Sequence, residues 1–231
     1  MSFQRVVICC CADYRRLAPQ AVVDLRKRAI AAGAEVVLCP DLCWEAARNP
    51  DFLRDLSDGK TVVAACHARA VRALFAAADV SPPALIDLRG VGSDEHFPPQ
   101  ERLDPDSAPD IELPGYPHDW KAWFPAIDRT RCTSCGKCVD YCLFGVYSRN
   151  GTTVEVSQPA HCKTDCPACA RVCPQQAIVF PKHPEPPING DVGSPGDLPS
   201  TPQAPDSPPG SLYAKLAQRR NLVKKDRLLK D

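Results

Sequence analysis

Short apolar runs alternate with segments of helical period through the first ninety residues. Arg5-Val-Val-Ile-Cys-Cys reads as a strand. Residues 19–32 follow, with Val22, Leu25, Ala29 and Ala32 at helical spacing. Pro19 suits the first helical turn and Gly33 the stop. Glu35-Val-Val-Leu-Cys predicts a second strand, and residues 44–56 a helix interrupted at Pro50. Lys60-Thr-Val-Val-Ala-Ala-Cys predicts a third strand. Ala70, Val71, Leu74, Phe75 and Ala78 then mark one face of a further helix, and Ala84-Leu-Ile-Asp-Leu a fourth strand. Continuous apolar strands separated by helices imply an α/β domain over residues 1–92, a parallel sheet with flanking helices.

The pattern then changes. Residues 93–119 are rich in Pro, Asp and Glu and read as a linker. Residues 120–183 form a short Cys-rich domain of α+β character, in which residues 146–156, centred on Asn150-Gly151, predict a hairpin. Residues 184–210 are dominated by Pro, Gly, Ser and Asp, cannot bury a core, and read as an extended or disordered tether. Residues 211–231 predict a basic helix with Leu212, Leu216 and Val223 on one face. A docking helix and a helix folded back on its own protein both fit that pattern.

Charge narrows the function classes. The 28 basic and 28 acidic residues balance, which gives no global attraction to nucleic acid or to an anionic membrane. No run approaches the ~20 apolar residues of a spanning helix. The apolar run near the N-terminus is too short for a secretion signal. The expectation is a cytoplasmic, reducing environment, in which the 14 cysteines hold metal rather than disulfides.

Eight of those cysteines form two runs, Cys132-x2-Cys135-x2-Cys138-x3-Cys142 and Cys162-x3-Cys166-x2-Cys169-x3-Cys173-Pro174. Thiolates at this spacing let a short loop wrap one face of a cubane with its backbone N–H groups turned toward the sulfides. The fourth ligand is better supplied from the opposite side. Zinc ribbons use paired Cys-x2-Cys knuckles and need neither the third nor the fourth cysteine of each run. The runs resemble those of the bacterial two-cluster ferredoxins, a family in which the fourth cysteine of each run ligates the other cluster. The resemblance implies two [4Fe–4S] clusters, the first held by Cys132, Cys135, Cys138 and Cys173 and the second by Cys162, Cys166, Cys169 and Cys142. Two departures from the family pattern stand out: three residues rather than two between Cys162 and Cys166, and Leu143 where the family has Pro. Phe144, Val146, Ile178 and Phe180 are expected to supply apolar cover. Lys137, Lys163 and Arg171 lie in the cluster loops, as solvated charges or as docking groups for an acidic partner.

The remaining cysteines sit at the predicted carboxyl ends of strands: Cys9, Cys10 and Cys11 after the first, Cys39 and Cys43 after the second, Cys66 after the third. Ligands of parallel α/β sheets bind at those ends. Cys9, Cys39, Cys43 and Cys66 therefore form a candidate third metal centre, with Cys11 able to replace Cys9. The pattern Cys9-x-Cys11, Cys39 and Val62-Val-Ala-Ala-Cys-His-Ala-Arg69 resembles the N-terminal domain of the flavin-carrying subunit of heterodisulfide reductase, which implies an iron–sulfur centre here. A Cys39–Cys43 redox couple is the competing reading. The resemblance does not extend to that family's large flavin domain. No Gly-x-Gly-x-x-Gly follows a strand, so neither flavin nor NAD is expected. His67 and His161 each adjoin a cysteine, although a surface histidine is the ordinary reading.

These features point to an electron-transfer protein, or the wiring subunit of a larger redox complex, exchanging electrons with redox protein partners. A cluster-based sensor and a disulfide-active reductase component are the alternatives. No residue set suggests catalysis by the chain alone.

Overall fold

In the computed structural model, which describes residues 4–90 and 113–191, four strands form one parallel sheet in the order β2-β1-β3-β4. These are β1 (Arg5–Cys9), β2 (Glu35–Cys39), β3 (Thr61–Ala65) and β4 (Ala84–Asp87). Residues 91–112, which include most of the expected linker, and residues 192–231, which include most of the expected tether and the basic tail, lie outside the described residues. The central strands carry the continuous apolar runs: Val6, Val7 and Ile8 on β1, and Val62, Val63 and Ala64 on β3, are all buried. Strands covered on both faces can carry no polar alternation, so these runs belong in the middle of the sheet.

The helices follow the sequence pattern closely. Helix α1 (Pro19–Ala31) buries Ala21, Val22, Leu25 and Ala29. It stops before Gly33, whose φ of +78° is a left-handed conformation that glycine adopts without steric penalty. The helix expected across Pro50 is two helices, α2 (Leu42–Arg48) and α3 (Pro50–Asp55). Pro50 removes a backbone donor and disfavours helical geometry at Asn49. Helix α4 (Ala68–Ala77) buries Ala70, Val71, Ala73, Leu74 and Phe75 against the sheet.

The Cys-rich region holds a second, smaller core. A short antiparallel pair, β5 (Ala126–Ile127) with β8 (Ile178–Val179), joins its two ends. Between them lie α5 (Lys137–Tyr141), the hairpin β6 (Tyr147–Asn150)–β7 (Thr153–Val156), and α6 (Ala168–Val172). Asn150 faces Thr153, so Gly151 and Thr152 make the expected tight turn.

The segment entering β5 serves both cores with a period of two. Ala122, Phe124 and Ala126 pack into the α/β core, whereas Trp123 and Ile127 pack into the smaller one. Alternation of this kind is what an extended chain lying between two apolar masses presents. Just before it, His118 stacks on Trp44 of α2 at 3.5 Å between ring centroids, and the Tyr116 hydroxyl donates to the Trp120 carbonyl at 2.6 Å.

Composition suggested that the chain becomes extended after residue 183, but residues 184–191 fold back. Phe180 N–H donates to the Ile188 carbonyl at 2.7 Å and Asn189 N–H to the Glu185 carbonyl at 3.0 Å. Asn189 is 5% exposed. Gly190, at φ +96°, lies so close to α4 that a Cβ there would meet the Ala70 Cβ at 2.8 Å. Proline and glycine here serve tight turns rather than disorder.

Two buried ion pairs cross between the cores in opposite senses. Arg69 of α4 donates from Nε to Asp128, just past β5, at 2.6 Å, and also bonds the Gln176 carbonyl. Lys182, just past β8, donates to Asp41 at the start of α2. Burial alone would favour the neutral acid at Asp128, but the Arg69 and Thr130 hydrogen bonds outweigh it and hold the carboxyl below its ordinary range. Arg69→Met leaves that carboxylate with Thr130 and the more distant Arg131, at 3.8 Å, and costs at most about 3–5 kcal/mol, the loss on breaking a buried pair. The midpoint of anaerobic urea denaturation should fall accordingly, and Arg69→Met/Asp128→Leu should recover most of the loss.

Candidate metal centres

Each cysteine run uses the same local device. In the first, Ser134 (φ +53°) and Gly136 (φ +77°) curl the chain between Cys132 and Cys138. A Cβ at position 136 would fall on the Arg149 guanidinium, so the turn has room for glycine alone unless Arg149 moves. Helix α5 carries Cys138 as its second residue and ends on Cys142, at φ −72° and ψ 115°. The second run repeats this with α6, which carries Cys169 second and ends on Cys173, at φ −76° and ψ 112°. Asp165 (φ +59°) supplies the turn inside the longer Cys162–Cys166 spacing.

The repeat brings together cysteines that are distant in sequence. Cys132, Cys135, Cys138 and Cys173 line one cavity, closed by Ile127, Val154 and Ile178. Ser134 N–H points at the Cys132 sulfur at 3.4 Å, and Ala177 N–H at the Cys173 sulfur at 3.3 Å. Cys142, Cys162, Cys166 and Cys169 are electrostatic neighbours in a second group. Burial pushes the Cys138 thiol up to about 11, with Cys173 and Cys132 adding to it. Cys162 and Cys169 are pushed up to about 12, again mainly by burial. Thiols so placed stay protonated at neutral pH until a cation takes the place of their protons.

Tyr147, on β6, is buried and donates from its hydroxyl to the Cys169 sulfur at 3.0 Å. Sequence alone does not single it out, since a tyrosine on a hairpin reads as core. Val146, Ile178 and Phe180 are buried as expected. Phe144 is instead 43% exposed and Leu143 92% exposed, so the residues after Cys142 form a surface knob rather than cover. Lys137, Lys163, Arg171 and His161 are exposed. His67 is not a surface residue. It is 7% exposed, its Nδ1 lies 4.0 Å from Asp191, and burial, followed by Arg89, lowers it to about 4.

In the α/β domain, Cys9, Cys11, Cys43 and Cys66 line one cavity together with Asp41 and Lys182. Cys39 is the register partner of Cys9 on the neighbouring strand but is not part of the cavity wall. Cys10 turns toward its own strand, 3.8 Å from the Ile8 carbonyl. None of the fourteen cysteines is in a disulfide. All six in this domain are shifted upward, chiefly by burial, Cys10 to about 11 and Cys66 to about 12. Burial raises both Cys39 and Cys43, which does not favour the thiolate that a redox couple reacts through. Among the described residues, no three His, Cys, Asp or Glu side chains close on a single-ion site.

Comparisons with known proteins bear on the Cys-rich region. Residues 124–147, which include Cys132, Cys135, Cys138 and Cys142, match the family model of a 4Fe-4S binding domain. A 61-residue stretch, 26% of the chain, is 41% identical to an uncharacterized ferredoxin of Methanocaldococcus jannaschii. It spans 42% of that protein, so the chain matches less than half of its relative. Among the described residues no helix is long and apolar enough to cross a membrane.

Tyr147 gives this site a direct test. A hydrogen bond to a cluster sulfur favours the reduced, more negative form. If Cys169 holds a cluster and the difference is about 1 kcal/mol, Tyr147→Phe should lower the potential of that cluster by about 40 mV for one electron. An anaerobic redox titration followed by absorbance reads the shift, with iron content unchanged. On the matched motif and the relative, the chain carries a ferredoxin-type 4Fe-4S binding domain.

Proposed function

We propose that the chain carries electrons through two [4Fe–4S] clusters as the wiring subunit of a larger redox complex. The observation that carries this reading is the convergence of Cys132, Cys135 and Cys138 with the distant Cys173 on a single cavity. In a two-cluster arrangement with exchanged ligands, Cys173 completes the first centre, and Cys142 joins Cys162, Cys166 and Cys169 at the second. Each cluster, when bound, exchanges one electron with little rearrangement.

The chain's own residues set the conditions for that exchange. Val146, Ile178 and Phe180 keep water from the sulfurs, and Tyr147, Ser134 and Ala177 point donors at them. Leu143 and Phe144 stand out beside Cys142, and Lys137, Lys163 and Arg171 are exposed in the cluster loops. An exposed apolar knob, with basic residues in the same loops, suits docking to a redox partner of acidic surface. The resemblance of the N-terminal motif to that of heterodisulfide reductase, itself an assembly of several chains, is what favours a component of a complex over a free carrier. The extra residue between Cys162 and Cys166 is accommodated by one left-handed turn at Asp165, so it removes no ligand.

Iron and acid-labile sulfide measured on anaerobically purified protein test the assignment. The eight cysteines should account for about eight irons, four per centre. Cys138→Ser and Cys173→Ser should each remove the same centre, and Cys169→Ser and Cys142→Ser the other. A Cys142→Ser variant that loses the Cys138 centre instead would show that the ligands are not exchanged.

A further inference from the structure

An open cleft of about 540 Å³ runs along α4, and no cysteine lines it. Its volume falls within the about 300–1,000 Å³ of small-molecule sites. Arg69, Arg72, Ala73 and Ala76 recur at helical spacing, so one face of α4 forms one wall. The other lining residues come from before and after β4 (Pro82, Asp87 and Arg89), from residues 128–131 after β5, and from Gly190 and Asp191. Both domains therefore build the cleft, and the Arg69–Asp128 pair fixes how they meet there.

Charge is what sets this cleft apart. Five arginines line it: Arg69, Arg72, Arg89, Arg129 and Arg131. The three aspartates beside them are already engaged. Asp128 accepts from Arg69 at 2.6 Å, while Asp87 and Asp191 accept from Arg89 at 2.9 and 3.0 Å. Five guanidiniums against three carboxylates leave two positive charges uncompensated. Arg72 is exposed and makes no hydrogen bond or ion pair among the described residues. Arg129 donates to a neutral group, the Val154 carbonyl, at 2.6 Å. Arg131 stands 3.8 Å from Asp128, outside hydrogen-bond reach of a carboxylate that Arg69 already holds. Guanidiniums gathered around an open space repel one another, and each keeps unused donors in a planar fork. A phosphate or carboxylate group accepts two such donors at once. Ala68, in the first turn of α4, lines the same space, and the positive end of the helix dipole adds to the field. Beyond Arg72 the helix contributes only Ala73 and Ala76, which with Pro82 give the cleft an apolar stretch.

From these observations we infer that the cleft binds a small organic polyanion, a molecule with two or more negative charges on phosphate or carboxylate oxygens at one end and an apolar body behind them. Arg72, Arg129 and Arg131 take the charged end. Ala73, Ala76 and Pro82 carry the body. Arg69 and Arg89 are positioning residues, since their own aspartates occupy them and they fix the walls. None of the fourteen cysteines takes part, so the site stands whether or not the clusters are arranged as proposed above.

Calorimetric titration of the anaerobically purified full chain tests the site, at low ionic strength because salt screens exposed charges. The probes are adenosine diphosphate for a phosphate end and tricarballylate for a carboxylate end. Adenosine supplies a body without charge, and inorganic pyrophosphate charge without a body. Adenosine diphosphate or tricarballylate should bind at one site per chain, and the tighter of the two assigns the oxyanion. Arg72→Ala and Arg129→Ala should each weaken that binding about tenfold, as loss of a charge-assisted hydrogen bond predicts. Alanine suits an exposed helix position, so Arg72→Ala should keep the denaturation midpoint of the unsubstituted protein. Arg26→Ala, on α1 and outside the cleft, should bind as the unsubstituted protein does. Binding of neither anion overturns the site. An equal loss in Arg26→Ala does so too, because it would reflect general attraction to a basic surface, and so does adenosine bound as tightly as its diphosphate. Pyrophosphate bound more tightly than adenosine diphosphate overturns the role given to the apolar stretch.

Discussion

The structure depends on two buried ion pairs that run in opposite directions across one boundary. Arg69 reaches from the α/β domain to Asp128, and Lys182 reaches back from the Cys-rich domain to Asp41. A buried pair contributes little net stability compared with apolar packing of the same size, but it penalises any arrangement that separates its members. Two such pairs, with the alternating contacts of residues 122–127 between them, hold the two cores in one register. For the proposed electron relay, that restriction would keep its centres in fixed relation between exchanges.

Burial has a second consequence for the cysteines. Thiols in apolar surroundings are pushed upward, to about 11 at Cys138 and about 12 at Cys162, Cys169 and Cys66. Such thiols are poor nucleophiles and poor disulfide reagents. The same surroundings suit a cofactor that must be kept dry and whose charge must be matched. The small hydrogen-bonding details, an N–H aimed at Cys132, Cys173 or Cys9 and a hydroxyl aimed at Cys169, are the means by which the protein adjusts such a charge.

Much of this was written in the sequence by itself. Apolar periodicity of two kinds, punctuated by Pro19, Gly33 and Pro50, determined the strands, the helices and their order, because those signals act over a few residues. Cysteine spacing determined the iron–sulfur chemistry, because the loop around a cluster is itself local. Tertiary structure alone decided which distant residues meet. A lone Lys182 among prolines carries no local signal of burial against Asp41, and Asp41 by itself reads only as a helix cap, which it also is through its bond to Trp44 N–H. Strand adjacency put Cys39 beside Cys9, yet the cavity at that end of the sheet is lined by Cys9 and by Cys11, whose backbone turns left-handed, and not by Cys39. Residues 184–191 have the composition of a tether, and only their contacts with Phe180 and α4 made them part of the fold. Composition measures what a segment can bury on its own, whereas burial against a surface formed elsewhere depends on the rest of the chain.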